Sequence, residues 1–541
     1  MAEKGSPPSS LPRGGKSSVT FWSAIVFTGI FSVWAVVNPE NLTNTLWGWV
    51  YKYHGNFSWF TMMIPLIIIG ICLLLAFSKF GNVKLGKKDE KPEFSTFSWL
   101  GMLFTAGIGV GLVNFGVAEP LVHYLQSAGG ISSGADAVAA AENAMKYTMF
   151  VWGLPAWTIY TISGLVIGYF AYSRGAKFLP GTPIAEGFSD KKWGKPVANI
   201  TNILAAGAAA LTMAASIGLG VFQVKNAVSS VFGYNHEGLG YSVIILLAIF
   251  AIYTLAAVLP LGKGMKILGD INVVVAVAIL LYVFALGNAP FLMNVIAQTF
   301  KNTFLGIVPT SLDSLPFLNK GWFYDWPNTT LIWWISWTPF LGIFIARISK
   351  GRTIRQVIVG GVLAPVMFLI LWFSVFGGTG FLNTIVGDGS IIQYVQDHPD
   401  DVYLSFIMVL QKLPLFTLTG IVFIVLILVF LSTTATSSMI ALSIMTSNGP
   451  ENAPVARTLI WSVITTMIAF ANVATGTLNG VRAIAVFLGI PYMFLFFLAI
   501  SGLIRQLRHD RKVLHDTIHE ERHDTIHEGY VNPQHKLQQE P

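Results

Sequence analysis

Long apolar runs separated by short polar connections make up most of this 541-residue chain. Since roughly 20 helical residues cross the hydrocarbon core of a bilayer, each run of that length predicts one membrane-spanning helix. Twelve runs are long enough, at residues 19–38, 58–79, 98–126, 142–172, 197–225, 240–260, 265–288, 325–347, 356–379, 415–446, 455–476 and 481–504. Two shorter amphipathic segments, 290–308 and 390–412, predict helices that lie along the outer surface. The pattern therefore predicts an all-α polytopic membrane protein with 12 transmembrane helices.

The distribution of basic residues predicts the orientation of these helices. Of the 33 Lys and Arg residues, 26 fall in segments on the same side as the N-terminus and 7 in the alternate segments. Because cytoplasmic loops are enriched in Lys and Arg, both termini are predicted to be cytoplasmic in a multi-pass protein of the plasma (inner) membrane. The same asymmetry accounts for the net charge of +7. The predicted partner is therefore the lipid bilayer and not nucleic acid.

Composition excludes several classes of protein. Charged residues make up 11% of the chain, whereas a soluble domain has about 25%. Cys72 is the only cysteine, so the chain has neither a disulfide framework nor a thiol metal site. No nucleophile or metal-ligand motif lies in or near the spans, and the chain is predicted not to be an enzyme. Apart from Glu142 and Asp325, the first residues of their spans, the only carboxylates within the spans are Glu119 and Asp270, both near span ends, which argues against a dedicated proton relay.

The third span is unusually rich in glycine. Gly107, Gly109 and Gly111 alternate, Gly116 follows, and Pro120 ends the run. Glycines weaken a helix, and an unwound backbone is tolerated at membrane depth only where it lines a cavity. Small residues at this spacing also let two helices pack closely. The sequence leaves both explanations open.

Aromatic residues are concentrated in two spans. The eighth span contains Trp333, Trp334 and Trp337, and the fourth contains Trp152, Trp157 and Tyr160. Tryptophan usually lies at the membrane–water interface, so several at mid-depth need another explanation. A cation–π cage for a quaternary ammonium group is one explanation, and bulky packing between helices is the other.

The tenth span carries six hydroxyl residues in the nine positions 430–438. Such hydroxyls often bond only to carbonyls of their own helix. Hydroxyls together with carbonyls freed by a broken helix can also hold Na⁺ near the middle of the membrane. The second alternative predicts an ion site between the third and tenth spans.

Three segments together resemble the betaine/choline/carnitine transporter family, namely Ala106–Leu112 with Gly116–Pro120, Trp152–Tyr160 and Trp333–Arg355. The likeness runs from about Val19 to Arg508. It implies a LeuT-type core of two inverted five-helix repeats, spans 3–7 and 8–12, preceded by two extra helices. Members of the family are commonly trimers, so a homotrimer is expected.

The resemblance and the composition divide the chain into six parts. These are a disordered cytoplasmic N-terminus, two peripheral helices, the first repeat, an external amphipathic helix and loop, the second repeat and a His-rich cytoplasmic tail, at residues 1–18, 19–97, 98–288, 289–324, 325–504 and 505–541. The tail contains the hexapeptide His-Asp-Thr-Ile-His-Glu twice, at 515–520 and 523–528. Its His pairs at i, i+4 could bind a metal if helical, but tails of this composition are usually solvated. No metal besides sodium is predicted.

Positions that match the family's motifs imply two sites. The substrate-binding residues would be Trp152, Trp157, Tyr160 and Trp334 as a cage, Trp337 and Phe340 beside the path, and Gly111 and Asn114 next to it. One sodium site of the family uses two carbonyls of the broken third span with a carbonyl and two hydroxyls of the tenth. The matching residues are Thr105, Ile108, Phe430, Thr433 and Thr434.

The chain departs from the family pattern in three ways. A second sodium site of the family uses two hydroxyls in the fifth span, and the matching residues here are Ala209 and Met213, which have none. Thr212 could take this role only if the match to the family is off by one residue. One coupling ion is therefore expected. Gly111 replaces an Asp common in choline-type members, which leaves the site without a carboxylate and suits a zwitterion. Asn114 replaces an apolar residue, and it either hydrogen-bonds the substrate or contacts a neighbouring helix.

These features predict a secondary active transporter that imports quaternary-ammonium compounds, glycine betaine first and choline close behind, by Na⁺ symport with alternating access. The alternative is a sodium-independent or proton-coupled choline or carnitine transporter or exchanger, because some family members exchange substrates without ions. A channel is disfavoured, since the predicted site is a closed aromatic pocket and not a continuous polar pore.

Overall fold

The computed structural model describes residues 19–132, 134, 136–234, 238–261, 263–317, 321–399, 401–475 and 478–530; at 108–110, 478, 479, 481 and 511–530 it describes the helix but not the side chains. Within these residues the regular secondary structure is helical, apart from one isolated antiparallel bridge between Lys84 and Thr353. The predicted disordered N-terminus and the last residues of the tail lie outside the described residues.

Nineteen α-helices follow one another along the described chain: α1 Val19–Val37, α2 Pro39–Phe77, α3 Thr96–Leu125, α4 Ala137–Trp152, α5 Leu154–Gly168, α6 Thr182–Gly187, α7 Gly194–Phe232, α8 Leu239–Val258, α9 Gly264–Leu286, α10 Ala289–Leu305, α11 Ile307–Leu312, α12 Gly321–Phe323, α13 Thr329–Ile348, α14 Ile354–Ile385, α15 Ser390–Asp397, α16 Leu404–Gln411, α17 Phe416–Thr446, α18 Val455–Thr475 and α19 Leu478–Tyr530. Short 3₁₀ turns lie at Lys79–Asn82 and Ala128–Gly130, and π-helical turns at Tyr169–Ser173 and Tyr324–Asn328.

The predicted spans are all helical, which confirms the all-α polytopic fold. Eleven helices are long and apolar enough to cross a membrane, and the bent α3 makes a twelfth. The fourth span consists of two helices, because α4 ends at Trp152 and α5 begins one residue after Gly153. Pro155 lies in the first turn of α5, where its missing N–H removes no helical hydrogen bond. Because of this break, Trp152 lies at the end of α4 and Trp157 lies in α5.

Two helices extend further than hydropathy predicts. Helix α2 begins at Pro39, well before residue 58, and Asn38 caps it by accepting a hydrogen bond from the backbone N–H of Asn41. Helix α19 runs past residue 504 to Tyr530. Hydropathy identifies only the part of a helix that lies in the bilayer. A helix can extend beyond that part into water, because its backbone hydrogen bonds do not depend on apolar side chains.

The course of α19 distinguishes the two sides of the bundle. Near its start, Arg482 donates a hydrogen bond to the carbonyl of Asp325, 3.1 Å away. Beyond its apolar part, Asp510 forms an ion pair with Arg174 at 3.3 Å. The side of Asp325 is called the distal side below, and the side of Asp510 the tail side.

The helices of the two halves of the core contact one another in the same pattern. Helix α3 packs on α14 as α13 packs on α5, and α3 packs on α17 as α13 packs on α7. Likewise α7 contacts α18 and α19 where α17 contacts α8 and α9. Each half contains five spans, and an odd number makes the second half cross in the opposite direction. The expected inverted repeats are therefore confirmed, with α3 and α13 as the equivalent first spans.

Helix α3 is broken near the middle of the bundle. Its segments Thr96–Gly107 and Gly111–Leu125 meet at an angle of 60°. The glycine-rich run lies at this bend, but the backbone at 108–110 is still helical, so the first explanation holds only as a weakened helix and not as an unwound one. The bend brings backbone carbonyls of α3 close to α17, and the second segment close to α4.

Candidate functional site

A cavity of about 980 Å³, including its mouth, enters the bundle between α3, α4, α7 and α13. On the distal side its walls include Trp326, Tyr403 and Arg482. At depth it reaches Gly111 and Trp152.

Aromatic rings form the deep wall of this cavity. Trp152 and Trp334 meet edge to face with ring centroids 4.9 Å apart and an interplanar angle of 70°. Trp337 adds a third ring 6.2 Å from Trp334, nearly perpendicular to it. Edge-to-face contacts are a favourable arrangement of aromatic quadrupoles. Helices α4 and α13, distant in sequence, thus place three indoles along one wall.

Three of the predicted residues lie behind this wall and do not border the cavity. Tyr160 is 6.0 Å from both Trp334 and Trp157, and all three rings are nearly perpendicular to their neighbours. Phe340 is fully buried, 5.5 Å from Trp337. Together with the wall, these residues form one continuous aromatic cluster.

The glycines of α3 make room for two of these indoles. A Cβ atom at Gly111 would lie 2.8 Å from the six-membered ring of Trp152, and one at Gly107 would lie 2.9 Å from that of Trp157. Real Cβ atoms do not approach other atoms so closely, so any side chain here displaces the ring. Close packing was the second explanation of the glycine run, and the structure shows that it also holds, with indole rings as the partners.

Hydrogen bonds hold the two central indoles in place. The Trp334 Nε1–H donates to the carbonyl of Val151 at 2.6 Å, and the Trp152 Nε1–H donates to Oε2 of Glu119 at 2.6 Å. The indole N–H groups of Trp157 and Trp337 have no hydrogen-bond partner among the described residues. The two central rings are thus fixed by both packing and hydrogen bonding.

The position of Glu119 corrects the sequence-based prediction that the site lacks a carboxylate. Glu119 borders the cavity, and only 2% of its surface is exposed. The prediction considered position 111 alone. It missed Glu119 because this residue lies near the end of the predicted span, whereas the bend in α3 turns that end towards Trp152.

Asn114 lies one turn after Gly111 on α3, buried and not bordering the cavity. Its Nδ2 has no hydrogen-bond partner among the described residues. Its Nδ2 thus makes no hydrogen bond to a neighbouring helix among these residues, and both alternatives for Asn114 stay predictions.

Three of the five predicted sodium ligands, Thr105, Phe430 and Thr434, come together where α3 bends past α17. The Thr434 hydroxyl lies 3.4 Å from the carbonyl oxygen of Thr105 and 3.1 Å from that of Phe430. The contact with Phe430 is a hydrogen bond to a carbonyl of the hydroxyl's own helix, as in the first of the two alternatives from the sequence, whereas the contact with Thr105 joins α17 to α3. Ile108 lies within the bend, at a position where only the helix is described.

Thr433, the other predicted hydroxyl, has partners of its own. Its Oγ1 bonds the carbonyl of Val429 and accepts a hydrogen bond of 2.7 Å from Nδ2 of Asn272 on α9. Both residues are fully buried. Asn272 was not predicted from the sequence, and nothing in the local pattern of α9 indicates that it meets α17.

The fifth span, α7, carries the residues considered for a second ion. Ala209 and Met213 are fully buried and offer no side-chain oxygen. Thr212 is also buried, and its hydroxyl has no partner among the described residues. Ser216, four residues later, borders the cavity and was not singled out from the sequence. The helix therefore contains a pair of hydroxyls four apart, displaced from the predicted positions.

Comparison with known proteins identifies the family. A family model described as "BCCT, betaine/carnitine/choline family transporter" matches residues 19–512. The glycine betaine transporter OpuD of Bacillus subtilis is 33% identical over 497 residues, 92% of this chain and 95% of that protein. The high-affinity choline transport protein of Escherichia coli is 30% identical over 502 residues, 91% of this chain and 72% of that protein. A solved structure, MhsT in complex with L-phenylalanine, is 14% identical with a TM-score of 0.40, over 77% of this chain and 99% of that one. The chain is therefore a multi-pass membrane transporter, not an enzyme, and belongs to the betaine/carnitine/choline transporter family.

Proposed function

We propose that this protein imports quaternary-ammonium compounds, with glycine betaine preferred and choline close behind, by Na⁺ symport with alternating access. The observation that carries the proposal is the wall of three indoles at the bottom of the cavity. Trp152 and Trp334 are supplied by different inverted repeats, so a small cation bound against the wall that they form contacts both halves of the core.

The chemistry of the aromatic wall suits a methylated ammonium group. Such a group has no N–H to donate, so it cannot satisfy ordinary hydrogen-bond acceptors. The face of an indole attracts it electrostatically, and each desolvated contact contributes about 2 kcal/mol. Trp152, Trp334 and Trp337 together offset part of the hydration that the ion loses on entering.

The charges on the cavity wall support a zwitterionic substrate. Glu119 and Arg482 both border the cavity, Glu119 beside the indoles and Arg482 on the distal side. One negative and one positive side chain in the same cavity complement the ammonium and carboxylate of glycine betaine. Choline matches the first of these charges and lacks the second.

We propose that the coupling ion is one Na⁺, bound as co-transported substrate where α3 bends past α17. Its ligands would be the carbonyls of Thr105, Ile108 and Phe430 and the hydroxyls of Thr433 and Thr434. This set carries no formal charge, so affinity depends on oxygen geometry and on the dipoles of the broken helix. Because α3 borders both this site and the cavity, straightening or bending it would affect ion and substrate together.

Ion pairs on the tail side support alternating access from a state open on the distal side. Arg347 at the end of α13 pairs with Glu93, before α3, at 2.6 Å. Lys350 lies 3.4 Å from Glu90 and 3.3 Å from Glu451. These contacts tie the first spans of the two repeats together on the side opposite the mouth of the cavity. Opening towards the tail side would require them to separate.

Uptake into proteoliposomes tests the proposal. Labelled glycine betaine and choline should accumulate when an inward Na⁺ gradient is imposed, and K⁺ in place of Na⁺ should abolish the accumulation. If labelled substrate accumulates without sodium but only when unlabelled substrate is present inside the vesicles, the mechanism is exchange and not symport. Uptake that depends on a proton gradient would show that the coupling ion is H⁺ and not Na⁺. Failure to take up any quaternary ammonium would refute the assigned substrate class.

We also propose that both termini face the cytoplasm and that the protein is a homotrimer. The first proposal rests on the excess of basic residues on the tail side, the second on the family. Since Cys72 is buried, an introduced cysteine can be labelled against a silent background. In intact cells a membrane-impermeant maleimide should label Lys301→Cys but not Lys192→Cys. Light scattering of the detergent-solubilised protein measures the oligomeric state.

A further inference from the structure

Glu119 is a buried carboxylate with fewer partners than its charge requires. Its Oε2 accepts the hydrogen bond from Trp152, but its Oε1 has no hydrogen-bond partner among the described residues. The nearest basic group is His123, whose Nε2 lies 3.3 Å from Oε1. No Lys or Arg of the described chain forms an ion pair with Glu119.

The contacts of His123 indicate that it does not neutralise Glu119. Trp322 donates its Nε1–H to Nδ1 of His123 at 3.0 Å, so Nδ1 acts as an acceptor and carries no proton. A neutral imidazole carries one ring proton, which is then on Nε2 and lies beside Oε1 of Glu119. The carboxylate thus borders the cavity with the Trp152 hydrogen bond on Oε2, a neutral imidazole beside Oε1, and no ion pair with Lys or Arg among the described residues.

We propose that Glu119 is a specificity-determining residue of the substrate site: its ionised carboxylate supplies the counter-charge for the ammonium group bound at Trp152 and sets how strongly net cations are accepted relative to zwitterions. The inference rests on the proposed function and deepens it. A buried, unpaired carboxylate is unfavourable, and an entering cation relieves this by pairing with it. Oε1 is the atom available for that role, because it forms no hydrogen bond among the described residues and only faces the neutral His123 ring at 3.3 Å.

The proposal predicts different effects on two substrates that share the same ammonium group. Choline has a net charge of +1, and its attraction to Glu119 is lost entirely when the carboxylate is removed. Glycine betaine has an ammonium group that Glu119 attracts and a carboxylate that Glu119 repels. Removing the charge of Glu119 therefore weakens the binding of one end and favours the binding of the other. At short range in a partly dry site the difference amounts to about tenfold in affinity.

A purely structural role for Glu119 makes the opposite prediction. If the residue only holds the Trp152 ring, its loss should weaken both substrates by the same factor. Glu119→Gln retains a side-chain oxygen that can accept the Trp152 N–H while removing the charge. Glu119→Asp retains the charge but shortens the side chain. Glu142→Gln, on the exposed surface of α4, removes an equal charge away from the cavity and serves as the control.

The test is the dissociation constant of choline and of glycine betaine, measured by titration calorimetry on the purified full-length protein. The ratio of the two constants, choline over betaine, should rise about tenfold in Glu119→Gln and stay within about twofold of wild type in Glu119→Asp and Glu142→Gln. An unchanged ratio in Glu119→Gln overturns the proposal. So does a rise in the ratio in Glu119→Asp, and this second measurement can be made even if Glu119→Gln does not fold. Wild-type protein that binds neither substrate would instead refute the proposed function.

Discussion

Replacement of Trp334 tests the aromatic cage most directly, because its ring contributes in two separable ways. Its face lies on the cavity wall, and its N–H donates to the carbonyl of Val151 at 2.6 Å. Leucine removes both contributions, whereas phenylalanine removes the hydrogen bond and retains an aromatic face. The comparison of Trp334→Phe with Trp334→Leu therefore isolates the cation–π contribution.

The magnitudes follow from these two contributions. A desolvated cation–π contact of about 2 kcal/mol corresponds to about 30-fold in Kd. A hydrogen bond to a buried carbonyl contributes about 1 kcal/mol, or about fivefold. We therefore expect Kd for glycine betaine to rise about 150-fold in Trp334→Leu and about 5- to 10-fold in Trp334→Phe. In Trp157→Phe the rise should be smaller still, because the Trp157 N–H has no partner among the described residues.

Calorimetric titration of purified protein, together with saturable uptake in proteoliposomes, measures these effects. Trp461→Leu is the matched control: that indole is fully buried and its N–H donates to the Thr446 hydroxyl at 2.8 Å, but it does not border the cavity. It should lose stability without losing affinity. Equal losses in Trp334→Phe and Trp334→Leu would show that indole shape or the N–H matters, not the π face. Unchanged affinity in Trp334→Leu would refute the cage.

Further predictions concern the broken helix and the ion. Gly111→Ala places a Cβ atom 2.8 Å from the Trp152 ring, so both substrates should bind about tenfold more weakly, as expected for overpacking of 1–3 kcal/mol. The ratio of the Kd for choline to the Kd for glycine betaine should be about tenfold lower in Gly111→Asp than in Gly111→Ala. An equal ratio in the two variants would exclude a charge effect. Thr434→Ala should raise the Na⁺ concentration for half-maximal uptake more than Thr433→Ala, whose hydroxyl already bonds Asn272, and the double variant should be uncoupled; full coupling in the double variant would place the ion elsewhere. Uptake by the wild type should vary with Na⁺ at a Hill coefficient near one, and a value near two would indicate a second site.

A Hill coefficient near two would have a specific structural meaning. Thr212 and Ser216 on α7 are buried hydroxyl residues one helical turn apart, and Ser216 borders the substrate cavity. They would be the first residues to replace. The sequence directed attention to Ala209 and Met213 because the positions were matched by register alone.

The fold could be predicted well because its main determinants are local. A run of apolar residues long enough to cross the bilayer must be helical there, since no other conformation satisfies its backbone in lipid. The twelve spans follow from this rule, whereas the break of the fourth span at Gly153 was not predicted. The early start of α2 and the late end of α19 do not follow from the rule either, because hydropathy reports where the membrane lies and not where a helix ends.

The candidate site could be predicted only in part. The residue types of the cage follow from the concentration of aromatics in two spans. Which of them border the cavity does not, because the side that a helix turns to a neighbour depends on the packing of all twelve. Trp152 and Trp334 lie on the wall, whereas Trp157 and Tyr160 lie behind it, although all four belong to the same two motifs.

By itself, then, the sequence determined that the chain crosses a membrane twelve times, that its basic residues lie mainly on one side, and which residue types are available for a cation and for an ion. These are properties of single segments. The tertiary structure alone decided that Glu119 meets Trp152, that Gly111 faces the same ring, and that Thr434 approaches the carbonyl of Thr105 from 329 residues away. Each of these contacts depends on how α3 bends and which helices it meets, and no segment carries that information on its own.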